Sequence, residues 1–60
     1  MEETIKAMKQ YFRKKDFNGK DREHNKNCKL AFAIGYLKEN DYVTRKQAIE
    51  IIEMIFHEEI

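Results

Sequence analysis

The side chains with the most reactive chemistry in this sequence are one cysteine and two histidines. His24 and Cys28 stand four residues apart, so a helix would place them on one face, and His57 follows much later. A structural zinc site usually needs four ligands with paired cysteines, and a second cysteine is missing. A reactive thiolate needs a partly exposed electropositive pocket, which 60 residues have little room to form. We therefore predict solvated histidines beside a buried thiol, with no metal site.

The remaining residues do not form a catalytic or cofactor-binding pattern either. Glu58 and Glu59 are adjacent carboxylates, but they stand at the end of the sequence without shelter. Gly19 and Gly35 are isolated, so no glycine-rich phosphate-binding loop is present. Nucleophile, base and oxyanion donors cannot be combined into one site. We predict a protein that is not an enzyme, with no catalytic residue, no cofactor and no small-molecule substrate.

Basic residues are concentrated in the first half of the chain. Residues 6–29 contain nine Lys or Arg and three acidic residues, whereas residues 39–60 contain two basic and six acidic residues. Attraction between the two halves of the fold explains this division, and an anionic partner at the basic end explains it equally well. The net charge is only +1.

One interpretation of the basic half is a surface for nucleic acid. Such a surface would neutralise several phosphates, and Phe17 would offer a ring on which a base could stack. The two other interpretations are a solvated surface that keeps the protein soluble and a surface for an acidic protein. The candidate nucleic-acid-binding residues are Lys6, Lys9, Arg13, Lys14, Lys15, Lys20 and Arg22.

Apolar spacing predicts two helices in the first two thirds of the chain. Helix one covers about residues 3–15, with Met1, Ile5, Met8 and Phe12 on one face, and ends where Asn18-Gly19 tolerates left-handed backbone geometry. Helix two covers about residues 22–39, capped by Asp21 or, one turn later, by Asn25 or Asn27. Gly35 within it predicts close approach of another backbone. Helix two is apolar on two faces, formed by Leu30, Ala33, Ile34 and Leu37 and by Cys28, Phe32 and Tyr36.

The strongest local signal is the start of helix three, over about residues 45–58. Thr44-Arg45-Lys46-Gln47 fits a capping box, in which Thr44 and Gln47 satisfy each other's backbone N–H groups. The apolar residues that follow, from Ala48 to Phe56, cover an arc of about 180°, which is wider than a simple surface helix needs. This width predicts a partner-binding surface. The candidate partner-binding residues are Ile49, Met54, Phe56, Phe32 and Tyr36.

The run IGYLKENDYVTRKQAIEII, residues 34–52, resembles the first two helices of bacterial helix-turn-helix domains. It is similar also to the helical hairpin of short oligomerisation domains. The resemblance covers about a third of the chain and implies a capped helical hairpin. After Ile52 the chain continues without a turn signal, so the resemblance does not supply the helix that would read bases.

Together these patterns predict one all-α, three-helix domain over residues 1–60, with helix two packed between the other two. The sequence lacks a run of about 20 apolar residues and an apolar leader, so we expect a cytoplasmic protein that does not enter a membrane. Its size and divided charge are typical of small regulators or inhibitors encoded by phages and mobile elements. We expect it to act on a protein partner or on itself as a homodimer, with nucleic-acid binding as the alternative.

Overall fold

The structure is a computed structural model that describes residues 2–60, without the side chains of Glu2 and Lys15. It confirms an all-α domain of three helices. Met1, which we placed on the apolar face of helix one, lies outside the described residues. The helices are α1 (Glu2–Tyr11), α2 (Arg22–Glu39) and α3 (Arg45–Phe56), and a short 3₁₀ helix (Lys15–Phe17) stands between α1 and α2.

Helix α1 ends four residues earlier than predicted, because side chains hold the next segment in a compact turn. The Asn18 amide donates hydrogen bonds to the carbonyl oxygens of Phe12 and Lys14. The Asn25 amide group of α2 accepts from Gly19 N–H and donates to Gly19 C=O, both at 2.9 Å. Gly19 does not have a positive φ, so our expectation of left-handed geometry there was wrong. Asparagine side chains, and not glycine freedom, therefore fix this connection.

Helix α2 begins directly after Asp21, the first of its three candidate N-caps. Asp21 has extended backbone geometry, and its carboxylate accepts a hydrogen bond from His24 N–H at 3.1 Å. The Asn25 side chain is hydrogen-bonded to the Gly19 backbone and does not cap the helix. The expectation for Gly35 was wrong, because a Cβ built there would have no atom from outside its own stretch of helix backbone within 4 Å. Gly35 lies on the exposed side of α2, so close packing does not explain it.

Helix α3 begins with the predicted capping box. Thr44 Oγ1 accepts from Gln47 N–H at 3.2 Å, and Thr44 N–H donates to Gln47 Oε1 at 3.1 Å. Val43, which precedes the cap, is half-buried against the core.

The end of α3 differs from the prediction of residue 58, because a Schellman turn stops the helix at Phe56. In this turn Glu59 N–H donates to Met54 C=O at 2.8 Å and Glu58 N–H donates to Ile55 C=O at 3.0 Å. Glu58 has a φ of 60°, the left-handed conformation that usually calls for glycine. The turn brings Ile60 back against the core.

The core lies where α2 meets α3 and the segment from α1 to the 3₁₀ helix. Ala33 is fully buried near the middle of α2, and Ile51 and Ile55 are buried on the facing side of α3. Phe32 stacks on Tyr11 with ring centroids 4.2 Å apart and meets the ring of Phe12 edge-on. Helix α2 is therefore the central element. The buried apolar residues are Met8, Phe12, Phe17, Ala33, Ile51 and Ile55.

The capping box gives a direct test of the α3 boundary. We expect Thr44→Ala to lower the free energy of unfolding by about 1 kcal/mol, since the first-turn N–H of Gln47 loses its partner. Chemical denaturation monitored by circular dichroism measures this loss. Lys46→Ala, at an exposed first-turn position, is the control and should change stability much less. Equal stability of wild type and Thr44→Ala would contradict the assigned role of the cap.

Candidate protein interface

One face of the α2–α3 hairpin carries large apolar side chains that the protein does not cover. Ile34 of α2 is 48% exposed, and Ile49 and Phe56 of α3 are 50% and 58% exposed. Leu30 and Ile52 lie beside them and are half-buried against the core. Leu30 and Phe56 line the same cleft, so the exposed edges of the two helices lie on the same side of the hairpin. We call Leu30, Ile34, Ile49, Ile52 and Phe56 the open face.

Helix α1 covers the opposite side of the hairpin. Phe32 and Tyr36 of α2 line a small apolar cavity of about 130 Å³ with Met8 and Tyr11 of α1. The Tyr36 hydroxyl is hydrogen-bonded to the Tyr42 hydroxyl, which raises the pKa of Tyr36, and burial adds to this rise.

The structure thus divides the five predicted partner-binding residues between two sides. Ile49 and Phe56 belong to the open face. Phe32 and Tyr36 are half-buried in the aromatic cluster with α1. Met54 is half-buried and lies about 160° around α3 from Ile52, at 100° per residue, so it does not belong to the open face. The sequence did not point to Ile34 and Leu30 as partners of Phe56, although their spacing of four residues on α2 contained that signal.

The open face ends in a polar cleft of about 530 Å³ between the start of α2 and the end of α3. There Arg22 and Glu58 form an ion pair in which the guanidinium donates to both carboxylate oxygens. Lys26 Nζ lies 5.0 Å from the centroid of the Phe56 ring, within the range of a cation–π contact. The hydrogen bond from Arg22 lowers the pKa of Glu58, and the pKa of Arg22 is raised in turn.

The candidate nucleic-acid-binding residues do not form one surface of equivalent groups. Lys9 and Arg13 line a second cleft of about 300 Å³ together with Lys29, Asn18 and Glu59. The prediction that Phe17 offers a ring for base stacking was wrong, because this ring is buried in the core.

The other members of that set differ in their surroundings. Lys6, Lys14 and Lys20 are exposed, and Lys14 Nζ lies 4.5 Å from the centroid of the Tyr11 ring. Arg22 forms an ion pair with Glu58, and the side chain of Lys15 lies outside the described part of the structure.

Of the reactive side chains of the sequence, Cys28 and His24 lie close together, and His57 lies at the end of α3. Cys28 is half-buried, and its Sγ lies 3.4 Å from Nε2 of the exposed His24. His57 is the C-cap residue that follows α3, and its ring meets the ring of Phe56 edge-on. Among residues 2–60, no group of three His, Cys, Asp or Glu side chains could hold a metal ion. None of the helices in this part of the chain is long and apolar enough to cross a membrane.

Comparison with known proteins does not add a relative to this description. Neither a protein-family model, nor a curated protein, nor a solved structure matches the chain. The surface itself is therefore the basis for assigning a function.

The Arg22–Glu58 pair predicts a specific dependence of stability on pH. The folded pKa of Glu58 is lower than its unfolded value, so the pair stabilises the fold above the ordinary carboxyl pKa and this stabilisation is lost as the pH falls through the folded pKa. We expect Glu58→Gln to reduce the acid sensitivity of the free energy of unfolding, measured by denaturant titrations across the acidic range. The control, Glu50→Gln at an exposed position of α3, should retain more of that sensitivity. Identical pH profiles for wild type and Glu58→Gln would contradict the role of the pair.

Proposed function

We propose that this chain is a small, non-enzymatic regulatory or inhibitor protein that acts through protein–protein contact at the open face. The observation that carries the proposal is the exposure of Ile34, Ile49 and Phe56 on one side of a hairpin whose other side is covered by α1. Scattered single apolar residues on a surface are ordinary, but a contiguous group with a polar rim is typical of an interaction site.

The chemistry of the open face suits a protein partner better than a small ligand. Its residues are aliphatic or aromatic, and the adjoining cleft is shallow and lined by Arg22, Glu23 and Glu58. Enclosed small-molecule sites bury most of the ligand surface, whereas a flat apolar face with charged edges fits another helix or sheet surface. A cytoplasmic setting, in which Cys28 stays reduced, agrees with this function.

Nucleic-acid binding is the second candidate, and the cleft between α1 and α2 favours it. Lys9, Arg13 and Lys29 converge there from two helices and the turn after α1. Glu59 lines the same cleft, and its carboxylate opposes binding of a phosphate. The apolar side chains of the open face, by contrast, remain about half exposed, because no other part of residues 2–60 covers them. We therefore place protein contact first.

Site-specific photo-crosslinking in living cells tests the proposed function. A photoreactive amino acid at position 49 should crosslink to a protein, whereas the same amino acid at Gln10, exposed on α1, should not. The identified partner, purified, should then bind wild type at least about tenfold more tightly than Ile49→Gln/Phe56→Gln, because central apolar contacts dominate interface energetics. Circular dichroism should show equal helicity for both proteins. Equal crosslinking from positions 10 and 49, or an unchanged affinity, would overturn the proposal.

A salt titration tests the nucleic-acid alternative separately. Binding of duplex or single-stranded nucleic acid by this cleft would weaken steeply as salt rises, and Lys9→Glu/Arg13→Glu would abolish it for every sequence. We expect weak binding of the wild-type protein to both. Tight, salt-sensitive binding that is lost in the Lys9→Glu/Arg13→Glu variant would make the alternative the better account.

A further inference from the structure

We infer that the small cavity between α1 and α2 is a binding site for an uncharged, hydrocarbon-like molecule about the size of one aromatic ring. We call it the aromatic cavity, and its lining residues are Ala7, Met8, Tyr11, Phe32 and Tyr36. It lies on the side of the hairpin that α1 covers. The inference therefore concerns a different surface from the open face and does not rest on the proposed function.

The aromatic cavity arises where a small residue stands among large ones. Ala7 and Tyr11 are four residues apart on α1, and Phe32 and Tyr36 are four apart on α2, so each pair lies on one face of its helix. Where the two faces meet, Tyr11 stacks on Phe32 with the ring centroids 4.2 Å apart. One turn earlier on α1, Ala7 offers only a methyl group, which reaches much less far toward α2. The space left there is the cavity.

The volume of the cavity suits one small ring. It is about 130 Å³, and its lining is almost entirely apolar. An apolar cavity of about 150 Å³ stays dry and binds benzene, because a water molecule would need about two to four polar partners. Sites for drug-sized ligands begin at about 300 Å³. The aromatic cavity is therefore too small for a nucleotide or an organic cofactor.

A ligand can reach this cavity without unfolding of the domain. Ala7 and Tyr11 are exposed, so the cavity borders solvent on the α1 side. Met8 is only 2% exposed and forms the inner wall. An apolar molecule that enters leaves water for contact with carbon and sulfur atoms, and this transfer favours binding.

The surroundings of the cavity select an uncharged ligand. Lys14 Nζ lies 4.5 Å from the centroid of the Tyr11 ring, so a positive charge already stands beside the cavity. It would repel a cation, and among the described side chains no carboxylate lines the cavity to compensate. An anion would lose its hydration without a charged group in the lining to replace it. A neutral hydrocarbon meets neither penalty.

Titration of the wild-type protein with benzene, followed by nuclear magnetic resonance, tests the inference. We expect saturable shifts of the Met8 methyl and Phe32 ring resonances with a Kd of about 1 mM, since so small a ligand makes few contacts. The resonances of Ile34 and Ile49 on the open face should not move. Because benzene would bind the folded state alone, the thermal midpoint should rise with its concentration.

Ala7→Leu distinguishes binding in the cavity from binding elsewhere. It adds a larger aliphatic side chain to the cavity wall, so we expect the affinity for benzene to fall about tenfold or more. Ala31→Leu is the matched control, because it makes the same change at an exposed position of α2 that does not line the cavity. This control should bind benzene as wild type does, and circular dichroism should show equal helicity for all three proteins.

The chemical class of the ligand has its own control. Tetramethylammonium is a cation that also fits a small cavity, and it should not bind saturably. Binding of tetramethylammonium as tight as that of benzene would overturn the assignment to an uncharged ligand. The absence of saturable shifts up to the solubility of benzene, shifts confined to the open face, or equal affinities of wild type and Ala7→Leu would each overturn the site.

An apolar side chain of a partner protein has the same chemistry as a free hydrocarbon, and crosslinking distinguishes the two. A photoreactive amino acid at position 7 should not crosslink to a protein in cells. A crosslink from position 7, together with no binding of benzene, would assign the cavity to a partner and overturn the free ligand. Crosslinking from position 49 reports on the open face alone, so failure of this inference and failure of the proposed function are distinguishable.

Discussion

The structure depends on one constraint: a ten-residue α1 is too short to surround the α2–α3 hairpin. Helix α2 is apolar on two sides, and the apolar residues of α3 span a wide arc, but α1 and the 3₁₀ helix can cover only one side of the pair. They meet α2 through Phe32, which stacks on Tyr11. The core forms at Ala33, Ile51 and Ile55, and what remains uncovered is the open face. A domain of this size buries a limited fraction of its surface, and association is a common way to bury more.

The connections between helices serve this arrangement by local hydrogen bonds. Asn18 and Asn25 hold the segment between α1 and α2, and Thr44 with Gln47 fixes the start of α3. At the other end, the Schellman turn places Glu58 opposite Arg22, which ties the end of α3 to the start of α2. The left-handed backbone of Glu58 costs about 1 kcal/mol relative to glycine. A side chain that reaches Arg22 accounts for a non-glycine residue at that position.

The sequence was sufficient for the fold class, the number of helices and two of the three helix starts. Capping by Asp21 and Thr44 depends on residues close in sequence, so local patterns contain the information. The ends of α1 and α3 were placed too late, because they depend on hydrogen bonds made by Asn18 and on a left-handed Glu58, for which composition gives no signal.

The two sides of the hairpin could not be separated from the sequence, because this requires knowing which side α1 covers. Periodicity placed Phe32, Tyr36, Ile49 and Phe56 equally as surface candidates. Only the packing of Tyr11 on Phe32 shows that two of them belong to the covered side. Phe17 is a similar case, since its ring enters the core through contacts with Phe12 and Phe32. Tertiary context decided each of these positions.

Nuclear magnetic resonance spectra recorded while the partner crosslinked from position 49 is added test most directly whether the side opposite α1 is the surface that associates. Methyl and aromatic resonances report each side chain separately, so the site of association is identified together with its occurrence. The account predicts shifts at Ile34, Ile49 and Phe56 as the partner is added, with the resonances of Met8 and Thr4 unchanged. Spectra that do not change as the partner is added, or shifts confined to α1, would contradict it.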